Sequence, residues 1–266
     1  MRILMCRPEF FGIEYEINPW MHVEVTVDHE LAVRQWEALH RTYQERDVEV
    51  VLAEPVKGLP DMVFTANAGV LWKRRAVLSN FHWPQRQGEE VHWRATLEKL
   101  DFEVCALPRD VSFEGAGDAL FVGERLFCGH GFRTDREAHP LVGELLGVDV
   151  VTLQLIDPRF YHLDTCFCPL DAQTAIFAPD ALDHESADRV RELVPHAIEV
   201  PLDVAAGFAC NAMPDGTTVI SSIAALRLEP ELRQAGLTTL GLEMSEFMKS
   251  GGGVRCLSLP LDVGTG

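Results

Sequence analysis

The sequence predicts an α/β fold of five ββαβ units arranged around a pseudo-fivefold axis, and three observations carry that expectation. First, segments of one pattern recur. Asp61 opens DMVFTANAGVLWKRRAVLSN, Glu114 opens EGAGDALFVGERLFCGHG, His162 opens HLDTCFCPLDAQTAIFAP, Gly207 opens GFACNAMPDGTTVISS and Gly253 opens GVRCLSLPL. Second, their starts lie 53, 48, 45 and 46 residues apart, a spacing in the range of repeat architectures. Third, the last unit stops after one strand, and RILMCRP at the other end of the chain supplies an apolar strand that would close the ring. Closure leaves few bare sheet edges, which gives it a physical motive. The competing reading is an open α/β sheet whose spacings coincide by chance.

The elements follow in chain order. After the opening strand, VDHELAVRQWEALHRTYQERD predicts a helix, with Asp28 as its N-cap and Leu31, Trp36, Leu39 and Tyr43 on roughly one face. VEVVLA then reads as a strand. MVFTANAGVLW and RAVLSNF read as the strand pair of the first repeat, followed by the helix EEVHWRATLEKLD. ALFVGERLFCG is the second pair, followed by the helix HPLVGELLG and the strand DVVTL. TCFCPL and TAIFAP form the third pair, with the helix DHESADRVRELV and the strand IEV. TTVISS, the helix PELRQAGL and the strand LTTLGLEM complete the fourth unit. SEFMKSGGG reads as a brief helix ended by glycine, and RCLSLPL as the final strand. No linker or low-complexity stretch divides the chain, so one domain over residues 1–266 is expected.

A net charge of −18 repels phosphate backbones and anionic lipid, so nucleic acid and membrane surfaces are poor partners, and a small cationic substrate is a better one. The five-residue apolar run at the start is too short for a signal core or a membrane span. Seven cysteines without framework spacing read as reduced thiols of a cytoplasmic protein. No metal-ligand cluster is evident, and neither G-x-G-x-x-G nor a P-loop appears, so neither metal nor cofactor is expected. A homo-oligomer is compatible with the sequence, which does not decide it.

The repeat sorts the chemistry-bearing residues. Asp61, Glu114, His162 and Cys256 all stand at or near the start of a unit, and equivalent positions in a ring converge on its axis. Cys256 follows a Gly-Gly-Gly run that keeps side chains away from its thiol. A cysteine attacks as thiolate, which a cationic substrate beside the sulfur would stabilise. A histidine protonates a leaving group and then deprotonates water, a role open to His162. Glu114, in the small-residue loop FEGAGD, offers a carboxylate to a flat cation at close range. Guanidinium is planar and matches a carboxylate through paired N–H donors. Arg86 and Arg133 follow the second strands of their repeats and are candidates to clamp a substrate carboxylate.

PDMVFTANAG, FEGAGDALF, FYHLDTCFCPL and SGGGVRCLSLPL together resemble the guanidino-group-modifying enzymes of the pentein superfamily, over nearly the whole chain. That superfamily includes arginine deiminase, dimethylarginine dimethylaminohydrolase, arginine dihydrolase and the amidinotransferases. The resemblance implies a five-bladed α/β propeller with its site on the axis. It assigns Cys256 as nucleophile, His162 as general acid and base, and Glu114 as guanidinium anchor. It further implies substrate contacts from Asp61, Asp164, Phe64, Arg86 and Arg133. MCRPEFFGIEYEINPWM resembles the dihydrolase group, with Asn18 as its polar contact.

One position departs from the common pattern. Where the deiminases and dimethylarginine enzymes usually carry a second carboxylate, TANAG places Asn67. An amide brings an NH2 donor, which suits a urea oxygen that guanidinium lacks. Asn67 therefore points to a pocket that holds citrulline as well as arginine. The expected activity is arginine dihydrolysis or deimination through a covalent cysteine adduct. The alternatives are dimethylarginine hydrolysis and amidino transfer. A non-enzymatic binding module of the same fold has no need of the Cys/His/Glu set.

Overall fold

The computed structural model describes residues 1–265. In chain order its strands are β1 (Arg2–Cys6), β2 (Glu49–Ala53), β3 (Gly69–Trp72), β4 (Arg75–Leu78), β5 (Glu103–Cys105), β6 (Ala119–Val122), β7 (Arg125–His130), β8 (Val150–Gln154), β9 (Phe167–Pro169), β10 (Thr174–Phe177), β11 (His196–Glu199), β12 (Met213–Pro214), β13 (Thr218–Ser222), β14 (Thr238–Leu242) and β15 (Leu259–Pro260). They form five three-stranded sheets: β3-β4-β5, β6-β7-β8, β9-β10-β11, β12-β13-β14 and β15-β1-β2. In every sheet the middle strand is antiparallel to one neighbour and parallel to the other. The antiparallel pair is a tight hairpin in four of them, and the parallel connection runs through helical segments, as a parallel crossover requires.

The fifth sheet closes the ring as the sequence suggests. Ile3 pairs with Pro260 and Leu4 with Leu259, so the N-terminal strand completes the truncated last unit. The helix His29–Glu45 lies between β1 and β2. Asp28 caps it by accepting from the Leu31 N–H at 3.0 Å. Trp36, Leu39 and Tyr43 are fully buried on its inner face, each worth roughly 1.5–3 kcal/mol of apolar burial. Leu31 is only half-buried and Ala32 takes the inward position instead. Tyr43 also ties the helix to the closing strand through its hydroxyl, 2.8 Å from Ser258 Oγ.

Two expected strands are different: RCLSLPL is a turn through Leu257, with only Leu259–Pro260 extended, and MVFTANAG departs further. MVFTANAG is not extended but forms two short 3-10 turns, Pro60–Val63 and Thr65–Ala68, before β3 begins. Its backbone serves another purpose: the Ala66 N–H donates to the Cys256 carbonyl at 3.1 Å. Apolar content alone suggested a strand, whereas the buried Asp61 and Asn67 need turns to aim inward. The same device precedes β6, where Gly115–Gly117 is a 3-10 turn, and β9, where Leu163–Thr165 is another. These turns at the mouths of the inner strands carry the candidate site.

Candidate active site

The turns give the site a simple register. Glu114 and His162 each stand five positions before their inner strand. Asp164 and Cys256 each stand three positions before theirs, and Asn67 and Asn211 two. Equivalent backbone positions in different blades thus present different chemistry to one axis. None of Cys256, His162, Glu114, Asp61, Asn67, Asp164, Asn211, Arg86 or Arg133 is more than 4% exposed.

Around the thiol, Cys256 Sγ lies 3.3 Å from Asp164 Oδ2 and 3.0 Å from Asn211 Nδ2. The orientation of the Asn211 amide is fixed by chemistry. Its Oδ1 accepts from the backbone N–H groups of Arg255 at 3.0 Å and Cys256 at 3.2 Å, so its NH2 must face the sulfur. That NH2 also donates to the Asp164 carbonyl at 3.1 Å. Burial and the neighbouring Asp164 hold the Cys256 thiol well above its ordinary range, so the free protein keeps it protonated. Burial likewise pushes the Asp164 carboxyl up to about 7, against the opposing pull of the Arg255 guanidinium.

Around the imidazole, His162 Nε2 meets Glu114 Oε2 at 2.8 Å. Glu114 Oε2 also accepts from Arg133 Nη1 at 2.8 Å. Burial opposes the Glu114 charge, but Arg133, His162 and Arg86 outweigh it and hold the carboxyl far below the usual range. Arg133 stacks over Tyr161 at 4.7 Å and donates to the Ile17 carbonyl. Thr134 Oγ1 donates to Asp118 Oδ2 at 2.7 Å, and Asp118 Oδ1 accepts from the Leu163 N–H, fixing the turn that carries His162.

Asn67 bridges the groups above it. Its Oδ1 accepts from Arg86 Nη1 at 2.9 Å, and its Nδ2 donates to the Glu114 carbonyl at 3.1 Å. One amide N–H is therefore already engaged, leaving one for a ligand. The turn leaves no room for a side chain at Gly117, where a Cβ would sit 2.4 Å from Asn67 Nδ2 and 3.2 Å from His162 Nδ1. Asp61 accepts from Tyr15 OH at 2.9 Å and faces Arg86 Nε at 3.8 Å.

Two expectations change in detail. Arg86 and Arg133 are not free clamps. Arg86 is held by Glu89 through paired bonds of 2.8 and 2.9 Å, and Arg133 is held by Glu114 itself. Two buried guanidinium groups cannot stay unpaired in a closed site, so each takes the nearest carboxylate. Asn18 is a fastener here: its Oδ1 caps the Trp20 and Met21 N–H groups, and its Nδ2 donates to the Ser250 carbonyl. Phe64 packs against the glycine run, where a Cβ on Gly252 would lie 2.3 Å from its ring. Glu89 and Asn211 were missed by sequence reasoning. Asn211 carried a readable signal, since CNAMP repeats the Asn-Ala step of TANAG at the same offset.

The segment around residues 12–22 covers these groups. Tyr15 reaches Asp61, Ile17 receives Arg133, Asn18 reaches Ser250 and Trp20 Nε1 donates to the Arg159 carbonyl. Among the described residues no three His, Cys, Asp or Glu side chains form a metal-binding group.

Comparison with known proteins places this arrangement. The family described as N,N dimethylarginine dimethylhydrolase, eukaryotic, matches residues 9–263. The bifunctional arginine dihydrolase/ornithine cyclodeaminase ArgZ of Synechocystis sp. is 43% identical over 97% of this chain, which spans 37% of the length of ArgZ. The N(G),N(G)-dimethylarginine dimethylaminohydrolase of Mycobacterium tuberculosis is 42% identical over 98% of this chain and 85% of its own. The crystal structure of the N-terminal domain of ArgZ bound to substrate, from cyanobacteria, superposes with a TM-score of 0.93 at 43% identity, covering 97% of each chain. A propeller closed by its own N-terminal strand, with a buried cysteine, histidine and glutamate on its axis, thus has close relatives along its length, and the chain belongs to the N,N-dimethylarginine dimethylhydrolase family.

Proposed function

We propose that this protein hydrolyses the guanidinium group of free arginine through a covalent adduct on Cys256, and that it carries the reaction past citrulline to ornithine. The observation that carries the reading is the placement of a buried thiol against Asp164 and Asn211, with the His162–Glu114 pair presented from the neighbouring blades. Such a thiol needs a cation to ionise, and a guanidinium delivered beside it supplies one.

The steps follow from the contacts. The substrate guanidinium displaces Arg133 from Glu114, and its remaining N–H groups face the acceptor oxygens Asp61 Oδ1 and Asp164 Oδ1, both buried without a protein partner. Asp164, whose carboxyl sits near 7, takes the thiol proton. The thiolate attacks the central carbon, His162 protonates one nitrogen, and ammonia leaves with formation of an amidino-thioester. His162 then takes a proton from water, the hydroxide adds, and the thiol departs to give citrulline. In the second round the thiolate attacks the urea carbon, the remaining terminal nitrogen leaves as ammonia, and water releases a carbamate that breaks down to ornithine and carbon dioxide. A urea carbon is a poor electrophile, so its oxygen needs a donor, and the unengaged N–H of Asn67 supplies it.

A methylated arginine is the second reading, favoured by the family match and by the mycobacterial relative named for that activity. Mass analysis of products from arginine and from dimethylarginine separates the two. Ornithine with two ammonia per arginine supports the first reading, and citrulline with methylamine from dimethylarginine supports the second. Asn67→Asp tests the donor directly. It should stop at citrulline, because a carboxylate offers the urea oxygen no hydrogen. Ornithine formed by that variant at the wild-type rate would remove the basis for the two-round scheme.

A further inference from the structure

A cavity of about 570 Å³ runs along the inner strands and reaches Ala116 and Ala212 beside the turns, but Cys256, His162, Glu114 and Asp164 are not in its lining. Its volume falls in the ordinary range for small-molecule sites. All five blades contribute walls, with Val70, Leu120, Pro169, Met213 and Leu259 among them, and the lining is mainly apolar. Among the described lining residues, Arg255 brings the one cationic side chain. Its Nε is buried without a hydrogen-bond partner, and its Nη1 donates to the thioether of Met213 at 3.0 Å, a weak acceptor. A guanidinium carries five donors, and in a partly buried setting it normally meets a carboxylate or phosphate. The other cations deep in this protein, Arg86 and Arg133, are both paired with glutamates. Among the described residues Arg255 makes no ion pair within 4.0 Å, although its charge reaches the Asp164 carboxyl, and it lines the cavity.

The rest of the lining narrows the ligand. Glu124 and Asp171 stand on exposed turns at the mouth, and Asp171 Oδ1 is held by the Gln173 and Thr174 N–H groups. Two carboxylates at the entrance disfavour a polyanion, whereas a single negative charge set deeper, on Arg255, is tolerated. The apolar walls ask for an apolar body rather than a bare inorganic ion.

We propose that this cavity is a second ligand site, separate from the Cys256 pocket, for a monocarboxylate with a compact apolar body. The carboxylate pairs with the Arg255 guanidinium, and the apolar part rests against Val70, Leu120 and Met213. Arg255 and Cys256 are consecutive, and their N–H groups share Asn211 Oδ1, yet the Arg255 side chain meets Met213 at the cavity while Cys256 Sγ meets Asp164 and Asn211.

Isothermal titration of the full chain with 3-phenylpropionate, and with its uncharged methyl ester, tests the proposal. The acid should bind at one site with a dissociation constant on the order of millimolar or tighter, and the ester should not. Arg255→Gln should weaken the acid by about ten-fold or more through loss of a charge-assisted pair. Ala172→Trp, on the exposed turn at the mouth, should weaken it too while leaving the melting temperature near wild type; this variant decides the matter should Arg255→Gln fail to fold. Equal binding of acid and ester, no binding of the acid at about 10 mM, or affinity unchanged by Ala172→Trp would each overturn the proposal. So would loss of binding to the Cys256→Ser variant in saturating arginine, which that variant should not turn over, because the probe would then sit beside residue 256.

Discussion

Asn211→Asp is the sharpest probe of how the thiol is held. The substitution keeps the shape and keeps an oxygen for the Arg255 and Cys256 N–H groups. It replaces the NH2 that lies 3.0 Å from Cys256 Sγ with a second carboxylate oxygen. A full charge at that distance disfavours the thiolate by about 5 kcal/mol at an effective dielectric of about 20. That corresponds to roughly four pH units on the thiol. The new carboxyl relieves part of this by taking up a proton, so the loss should be smaller in acid and larger in base. We expect turnover at about pH 8 to fall by roughly 100-fold or more, narrowing toward about pH 5. Folding should suffer less, since the bonds lost are those to the Asp164 carbonyl, worth about 1–3 kcal/mol, and to the Cys256 sulfur, a weak acceptor. The assay is alkylation of Cys256 by iodoacetamide across pH, followed on the peptide by mass, beside a thermal melt. An alkylation profile identical to wild type would refute the reasoning, because the sulfur would then not depend on the Asn211 donor.

Cys256→Ser and His162→Ala should each abolish hydrolysis to about the same level, and the double variant should lose little more, if they act as one covalent unit in the proposed scheme; steady-state kinetics on the three proteins checks this, and additive losses would contradict it. Asp164 carries a pH prediction of definite sign. Its carboxyl rises from 3.8 to about 7 on burial, so folding takes up a proton between those values. The associated stability is complete below about pH 4 and is lost as pH climbs through about 7. Asp164→Asn should therefore flatten the decline of the melting temperature over that range, and an unaltered slope would argue that the carboxyl is ionised throughout.

The ring was legible because its period is long and its units keep one order of elements. Closure by RILMC could be inferred because the last unit visibly lacked a partner strand, and the pairing of Ile3 with Pro260 supplies it. The turns were less legible. MVFTANAG has the composition of a strand, and only the tertiary demand to bury Asp61 and Asn67 makes it turn. Glu114 and Cys256 stood out because small residues lie beside them, and His162 because it opens a repeat unit. Asn211 did not, since an asparagine in a turn ordinarily serves its own backbone. Glu89 was hidden for another reason: it opens a helix, where an acidic residue is expected for the dipole alone. Its paired grip on Arg86 depends on a fold that brings Trp83 through Glu89 over the axis.

The pairing of the two buried arginines bears on which substrates the site accepts. Arg86 is fully engaged by Glu89 and also supports Asn67 and the Asp61 carbonyl, so moving it would strand several groups at once. Arg133 has a simpler attachment, to Glu114 and the Ile17 carbonyl. In the proposed binding mode a guanidinium that reaches Glu114 Oε2 takes the place of Arg133, and an Arg133 left unpaired in a closed pocket costs about 3–5 kcal/mol. Free arginine avoids that cost because its own carboxylate can receive the displaced guanidinium. The exchange keeps every buried charge paired, one substrate end for each side of the broken bridge. Agmatine, which has the guanidinium but no carboxylate, leaves Arg133 stranded. Its kcat/KM should fall below that of arginine by roughly 100-fold or more, a factor that follows from the same energy. Comparable kcat/KM for the two, measured by ammonia release, would mean that Arg133 stays on Glu114 throughout and that the substrate carboxylate is bound elsewhere.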